Sequence, residues 1–174
     1  MKKLLLVLAA VVLVSTFAYA EGAPKAGEFG IQGGVTFTGV VPALVATGDL
    51  GAKYWLSNAL ALRAAVGFDN QAAPAVTTTG YDFGVGFEYH FGGKGGVSPY
   101  AGAALSYSGE SFSTGGPTAS DFGVKLIFGG EYFFSDNFSW AGELGLGYLS
   151  AYNGATTTTL LTTFGMGTFL TYYF

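Results

Sequence analysis

The chain has a single histidine, His90, and no cysteine. Thiol catalysis, thiolate metal sites and disulfides are therefore excluded. His90 could act as a general base toward a hydroxyl, and Ser106, Ser108, Ser111 and Ser113 crowd one stretch. Acyl transfer needs the nucleophile, the base and an orienting group within hydrogen-bond reach. Asp82 and Asp121 offer carboxylates but no basic partner. The acidic residues lack metal-ligand spacing, so no cofactor or metal is expected. Gly84-x-Gly86 lacks the strand-to-helix setting of a dinucleotide fingerprint. Asn137-Phe138-Ser139 fits a glycosylation pattern but sits in a turn. What remains is ionic: Lys53, Arg63 and Lys125 against Glu88, Glu131 and Glu143.

Whether these residues meet depends on the elements that carry them. The chain has 174 residues, 29 of them glycine, with 17% aromatic and only 10% charged. An ordinary soluble domain has roughly 25% charged residues and about 7% glycine. A net charge of −4 gives no basic footprint for nucleic acid. Met1-Lys2-Lys3, the apolar run Leu4 to Val14 and the small-x-small site Ala18-Tyr19-Ala20 read as a secretory signal peptide. Residues 1–20 are expected to be removed after Ala20, leaving a short segment 21–27 and one domain over 28–174.

Beyond residue 20 the pattern has a period of two. From Tyr81 to Phe91 every odd residue is large and apolar, and every even one is Gly, acidic or His. The same alternation runs from Phe138 to Tyr148, and from Leu160 to Phe174 with Leu160, Phe164, Met166 and Leu170 on one side. Eight strands follow, at about 28–39, 47–57, 59–69, 79–91, 98–108, 120–134, 138–149 and 159–174. Tight turns at Ser57-Asn58, Gly92–Gly96 and Ser135–Asn137 alternate with longer loops at 40–46, 70–78, 109–119 and 150–158. Strands of ten residues or more match the ~9–11 needed to cross a bilayer at a tilt. On this parity every strand charge falls opposite the apolar face. A soluble barrel would have the reverse. The charged face also takes most strand glycines, such as Gly34, Gly129 and Gly167.

With these features the chain resembles the small eight-stranded outer-membrane β-barrels, the OmpA-like and OmpX-like proteins of the porin family. Leu170-x-Tyr172-x-Phe174 resembles the C-terminal signal read by the outer-membrane assembly machinery. Tyr54-Trp55-Leu56-Ser57-Asn58-Ala59-Leu60 and Phe133-Phe134-Ser135-Asp136-Asn137-Phe138-Ser139 resemble that family's periplasmic turns. The resemblance implies an all-β, antiparallel up-and-down barrel in the bacterial outer membrane. It implies lipid, periplasmic chaperones and the assembly machinery as partners, and a monomer. The sequence closes on Phe174, so a peptidoglycan-binding domain is not expected. Tyr54, Tyr132, Phe134, Phe138, Tyr172 and Phe174 would form the periplasmic aromatic girdle.

Counted from the turns, Lys53, Arg63, Glu88, Glu131 and Glu143 lie at similar depth, with Lys125 two inward positions higher. Such a set could gate a pore or conduct protons. The favoured reading is a neutral salt-bridge plug, since buried charges survive when paired. Trp55, His90, Tyr100, Phe133 and Tyr173 are placed at the periplasmic end of the same lumen, as a stopper. The serines fall at the opposite end, out of reach of His90. A structural or adhesive role is therefore expected, with a small porin as alternative and a lipid-modifying enzyme as a distant one.

Overall fold

Alternating apolar and small or polar residues form strands whose two faces differ in chemistry, and here a single sheet closes on itself. The computed structural model describes residues 24–38, 45–72, 77–92, 96–114 and 118–174. The segment expected to be a signal peptide, with Ala18 and Ala20, and Pro42, Pro74 and Pro117, lie outside the described residues. The strands are β1 (Phe29–Thr38), β2 (Val45–Trp55), β3 (Leu60–Ala72), β4 (Thr77–His90), β5 (Val97–Phe112), β6 (Ala119–Ser135), β7 (Phe138–Tyr152) and β8 (Thr157–Tyr173). Each pairs antiparallel with the next, and β1 pairs with β8 from Gly30–Tyr173 to Thr38–Gly165. Closure leaves no open edge, the condition hydrocarbon imposes on any sheet.

The inversion of faces is complete among the described strand residues with charged side chains. Leu50, Phe83, Leu126, Trp140, Leu144 and Leu170 are 47–60% exposed, whereas Lys53, Glu88 and Glu131 are at most 1% exposed. From Phe122 to Tyr132 on β6 the apolar face spans ten residue steps. At ~3.4 Å per residue and a tilt of ~40° that is a band about 25 Å tall, the height of a hydrocarbon core. Near the chain termini an arc of rings closes the band. Tyr132–Phe134, Phe134–Phe138, Phe138–Tyr172 and Tyr172–Phe174 lie 5.0–6.4 Å apart, and Phe174 stacks on Phe29 at 6.4 Å.

The end carrying the start of β1 and Phe174, here the turn end, is tied by backbone and side chain together. Ser57 Oγ accepts from Leu60 N at 3.0 Å, and Asn137 Nδ2 donates to the Tyr173 carbonyl at 2.9 Å. Gly92 and Gly96 take φ of 81° and 82°, which L side chains rarely adopt, where β4 turns into β5. At the opposite, loop end the strands run further than the sequence pattern suggests. β5 reaches Phe112, β7 reaches Tyr152 and β4 starts at Thr77, so the loops of seven to eleven residues shrink to intervals of four to six. Thr and Ser read as loop by polarity, yet they extend these hairpins: Thr77 N donates to Ser113 Oγ at 2.9 Å. A second departure lies in β8. Its register to β7 shifts by one residue between Gly145 and Gly147, placing Leu161 opposite Tyr148 and Leu160 opposite Leu149. Leu161, not Leu160, therefore shares the outward parity of Tyr148, and it is 69% exposed.

Candidate functional site

The lumen divides into a packed half at the turn end and an open half at the loop end. Inward parity delivers the six ionic residues to the boundary between them. Lys53 and Arg63 sit directly opposite each other on β2 and β3, a repulsive pairing on its own. Glu88 on β4 separates them. Its Oε2 lies 2.5 Å from Lys53 Nζ and its Oε1 2.6 Å from Arg63 Nη1. Lys53 also reaches Glu131 Oε2 at 2.6 Å, and Arg63 reaches Glu143 Oε2 at 2.6 Å. Lys125, 35% exposed, lies looser, 3.5 Å from Glu143 Oε1. The chain of contacts is Glu131–Lys53–Glu88–Arg63–Glu143–Lys125, three acids and three bases with no net charge. The carboxylates have room because small residues flank them across the ladder. Glu88 faces Ala61 and Gly102, and Glu143 faces Gly129 and Gly167.

Hydroxyl groups saturate what the bases leave. Ser139 Oγ donates to Glu131 Oε1 at 2.5 Å, and Tyr173 Oη donates to the same oxygen at 2.7 Å. Tyr100 Oη donates to Glu143 at 3.3 Å. Lys53 Nζ stands 5.2 Å from the centroid of the Trp55 ring and 5.5 Å from that of Tyr100, and Arg63 Cζ stands 4.9 Å from that of Phe169, distances at which a ring face attracts a cation.

Toward the termini the aromatic residues anticipated as a stopper meet. Trp55, Phe133 and Tyr173 cluster with Ala61, all at most 5% exposed. His90 bridges Trp55 and Tyr100 at centroid distances of 4.5 and 5.0 Å. Tyr100, anticipated in the stopper, instead joins a second layer with Ile127, Ala141 and Phe169, three residues not anticipated there. Its signal was present: Ile127 and Phe169 stand on the inward parity of their strands. Glycine makes the layer possible. A Cβ at Gly129 would lie 2.5 Å from Tyr100 Oη, and one at Gly167 would lie 2.6 Å from the Phe169 ring.

His90 has a serine partner, though a different one from those at the loop end. Its Nδ1 lies 2.9 Å from Ser98 Oγ and its Nε2 3.2 Å from Glu88 Oε2. Ser98, His90 and Glu88 make a Ser–His–Glu line, but all three are at most 2% exposed, so no acyl substrate reaches Ser98. Glu88, His90 and Glu131 also bring ligand atoms within 4.8 Å of one another, close enough for a metal ion. The ammonium of Lys53 already contacts both carboxylates of that trio.

Above the ionic chain the lumen opens into a cup of about 550 Å³ whose lining includes Arg63, Phe169 and Lys125 and, higher up, Asp49, Asp82 and Asp121.

No family model matches the sequence, and no curated protein matches it either. Solved structures do match in fold. The N-terminal β-barrel domain of Pseudomonas aeruginosa OprF superposes with TM-score 0.54 at 16% identity, covering 86% of this chain and 98% of that one. The outer membrane protein OprG of the same organism gives 0.55 at 13%, covering 88% and 98%. Ail, the attachment invasion locus protein of Yersinia pestis, solved with the heparin analogue sucrose octasulfate, gives 0.53 at 13%, covering 86% and 100%. The chain thus has the fold of the small eight-stranded outer-membrane β-barrels, and its exterior is the apolar surface of a barrel set in lipid.

Proposed function

We propose that the chain is a non-catalytic barrel of the bacterial outer membrane with a structural or surface-interaction role, its lumen sealed by the ionic chain and the aromatic layers beneath it. One observation carries this reading: across the turn-end half, Lys53, Glu88, Glu131, Trp55, Ile127 and Tyr173 are all at most 1% exposed. An ion crossing there would have to part several buried pairs, each costing kcal/mol to break. Export by the segment cleaved after Ala20 would bring the chain to the periplasm. Leu170, Tyr172 and Phe174 would be read by the assembly machinery, and the turn end would face the periplasm. The buried Ser98–His90–Glu88 line is then a hydrogen-bonded part of the plug, not a nucleophile.

The second reading, a small pore, is favoured by the cup, which brings open space down to Arg63. Single-channel recording of the reconstituted barrel separates the two. A closed wild type, with Arg63→Ala and Glu88→Ala also closed, supports the plug. Steady wild-type conductance, or variants that open stepwise, supports the pore. Surface interaction is tested by exchanging residues 113–118 for an unrelated turn and measuring cell adhesion, which should fall if the loop end makes the contact.

A further inference from the structure

The cup above the ionic chain has a charge balance unlike the plug below it. Arg63 and Lys125 in its wall are both engaged by Glu143. Asp49, Asp82, Glu110 and Asp121 line the same space, four carboxylates against those two bases in a narrow lumen. Low-dielectric walls focus such a field and concentrate cations.

Acidic lining alone would only attract counterions, but Gln32 adds a directional group. It is 4% exposed, lines the cup, and its side-chain amide has no hydrogen-bond partner among the described residues. Its register neighbour on β8, Thr171, likewise keeps a buried hydroxyl without a partner. Thr171 lies outside the cup lining, whereas Gln32 presents its carbonyl and amide to whatever enters the cup.

The arrangement of the acids narrows the ligand. Among the described residues only Glu88, His90 and Glu131 converge closely enough for a metal ion, and they belong to the plug. The cup's carboxylates are spread along its height, from Asp49 beside Thr36, whose hydroxyl donates to it at 2.5 Å, to Glu110 near the end of β5. Between them the wall includes Gly84, Gly123, Gly145 and Gly147 beside Ser106, Ser108 and Ser120, small residues against which methylenes can lie. Spaced carboxylates, a wall of small residues and a carbonyl acceptor near the floor match a flexible chain of methylenes with ammonium groups several atoms apart.

We propose that the loop-end half of the lumen binds a linear aliphatic polyamine, its ammonium groups on Asp49, Asp82 and Asp121 and its innermost N–H donating to Gln32. This goes beyond the role proposed above and holds whether or not the lumen conducts, because the acids line the cup in either case.

Isothermal titration of the refolded barrel in neutral detergent with spermidine tests it, with magnesium chloride at matched ionic strength as the control. Saturable binding of one spermidine per barrel is expected, persisting in magnesium. Gln32→Leu should weaken it about fivefold, the worth of one hydrogen bond. Asp121→Asn, at a partly exposed strand position where folding is not at stake, should weaken it at least threefold. Non-saturable heat, complete displacement by magnesium at matched ionic strength, or wild-type affinity in both variants would overturn the proposal. Conductance of the same preparations reports on the plug separately, so failure of one reading is not failure of the other.

Discussion

Replacing Lys53 by methionine removes the cation that joins Glu88 to Glu131 while keeping an apolar stem against Trp55. In the folded barrel Lys53 is 1% exposed and lies 2.5 and 2.6 Å from the two carboxylates. Glu88 would keep Arg63, but Glu131 would keep only the hydroxyls of Ser139 and Tyr173 and the imidazole of His90 at 3.8 Å. Removing one partner of a buried pair costs about 3–5 kcal/mol, because the stranded charge keeps its desolvation penalty. In urea, with a slope of about 2 kcal/mol/M, a loss of about 4 kcal/mol moves the unfolding midpoint down by about 2 M. The double variant Lys53→Met/Glu131→Gln restores balance, two acids against two bases, and the new amide at position 131 can still accept from Ser139 and Tyr173. It should recover at least about half of the loss. Urea titration of the refolded barrel, followed by tryptophan emission and by gel migration, measures both. A Lys53→Met midpoint within about 0.5 M of wild type, or a double variant no better than the single one, would refute the ionic chain as a mutually dependent unit.

Gly129→Val should destabilise the barrel by about 1–3 kcal/mol, because its Cβ would meet Tyr100 Oη at 2.5 Å and the Gly142 carbonyl at 2.6 Å; Gly142→Ala, outward with nothing within 4 Å, should stay within about 0.5 kcal/mol in the same urea titration. Leu126→Arg at mid-band should cost about 2–4 kcal/mol in lipid vesicles, whereas Val97→Arg near the turn end should cost about 0–1 kcal/mol. Phe174→Ala, which loses the ring contacts to Phe29 and Tyr172, should reduce heat-modifiable barrel in the membrane fraction of cells severalfold. It should leave refolding in detergent nearly unchanged, the outcome expected of a residue that serves the proposed assembly signal and not the final packing.

The closed barrel was legible because its solvent writes the sequence: lipid demands apolar residues at one parity, and a narrow lumen demands small or charged ones at the other. The ionic residues could be placed at one depth by counting from the turns, since the register of a hairpin follows from its turn. Partners across the lumen could not. That Arg63 reaches Glu88 and Glu143, or that His90 meets Ser98, depends on how far each strand is staggered around the closure, which period-two alternation does not encode. The shift in β8 was hidden because Leu160 and Leu161 are both apolar and threonines surround them, so either parity reads equally well. The loop-end strand extensions were hidden for a related reason: serine and threonine are polar enough for a loop and β-branched or small enough for a strand. Ile127 and Phe169 were readable from parity but masked by the more conspicuous aromatics beside them.

The two tryptophans stand on opposite faces of the wall, Trp140 47% exposed on the outside and Trp55 fully buried in the lumen, so they test the inverted barrel directly. Trp55→Phe and Trp140→Phe each leave a single emitter to be reconstituted in vesicles with brominated acyl chains. Strong lipid quenching of Trp140, with Trp55 shielded from both bromolipid and aqueous iodide, is the predicted result. Quenching of Trp55 by lipid, or of Trp140 by iodide and not by bromolipid, would contradict the account.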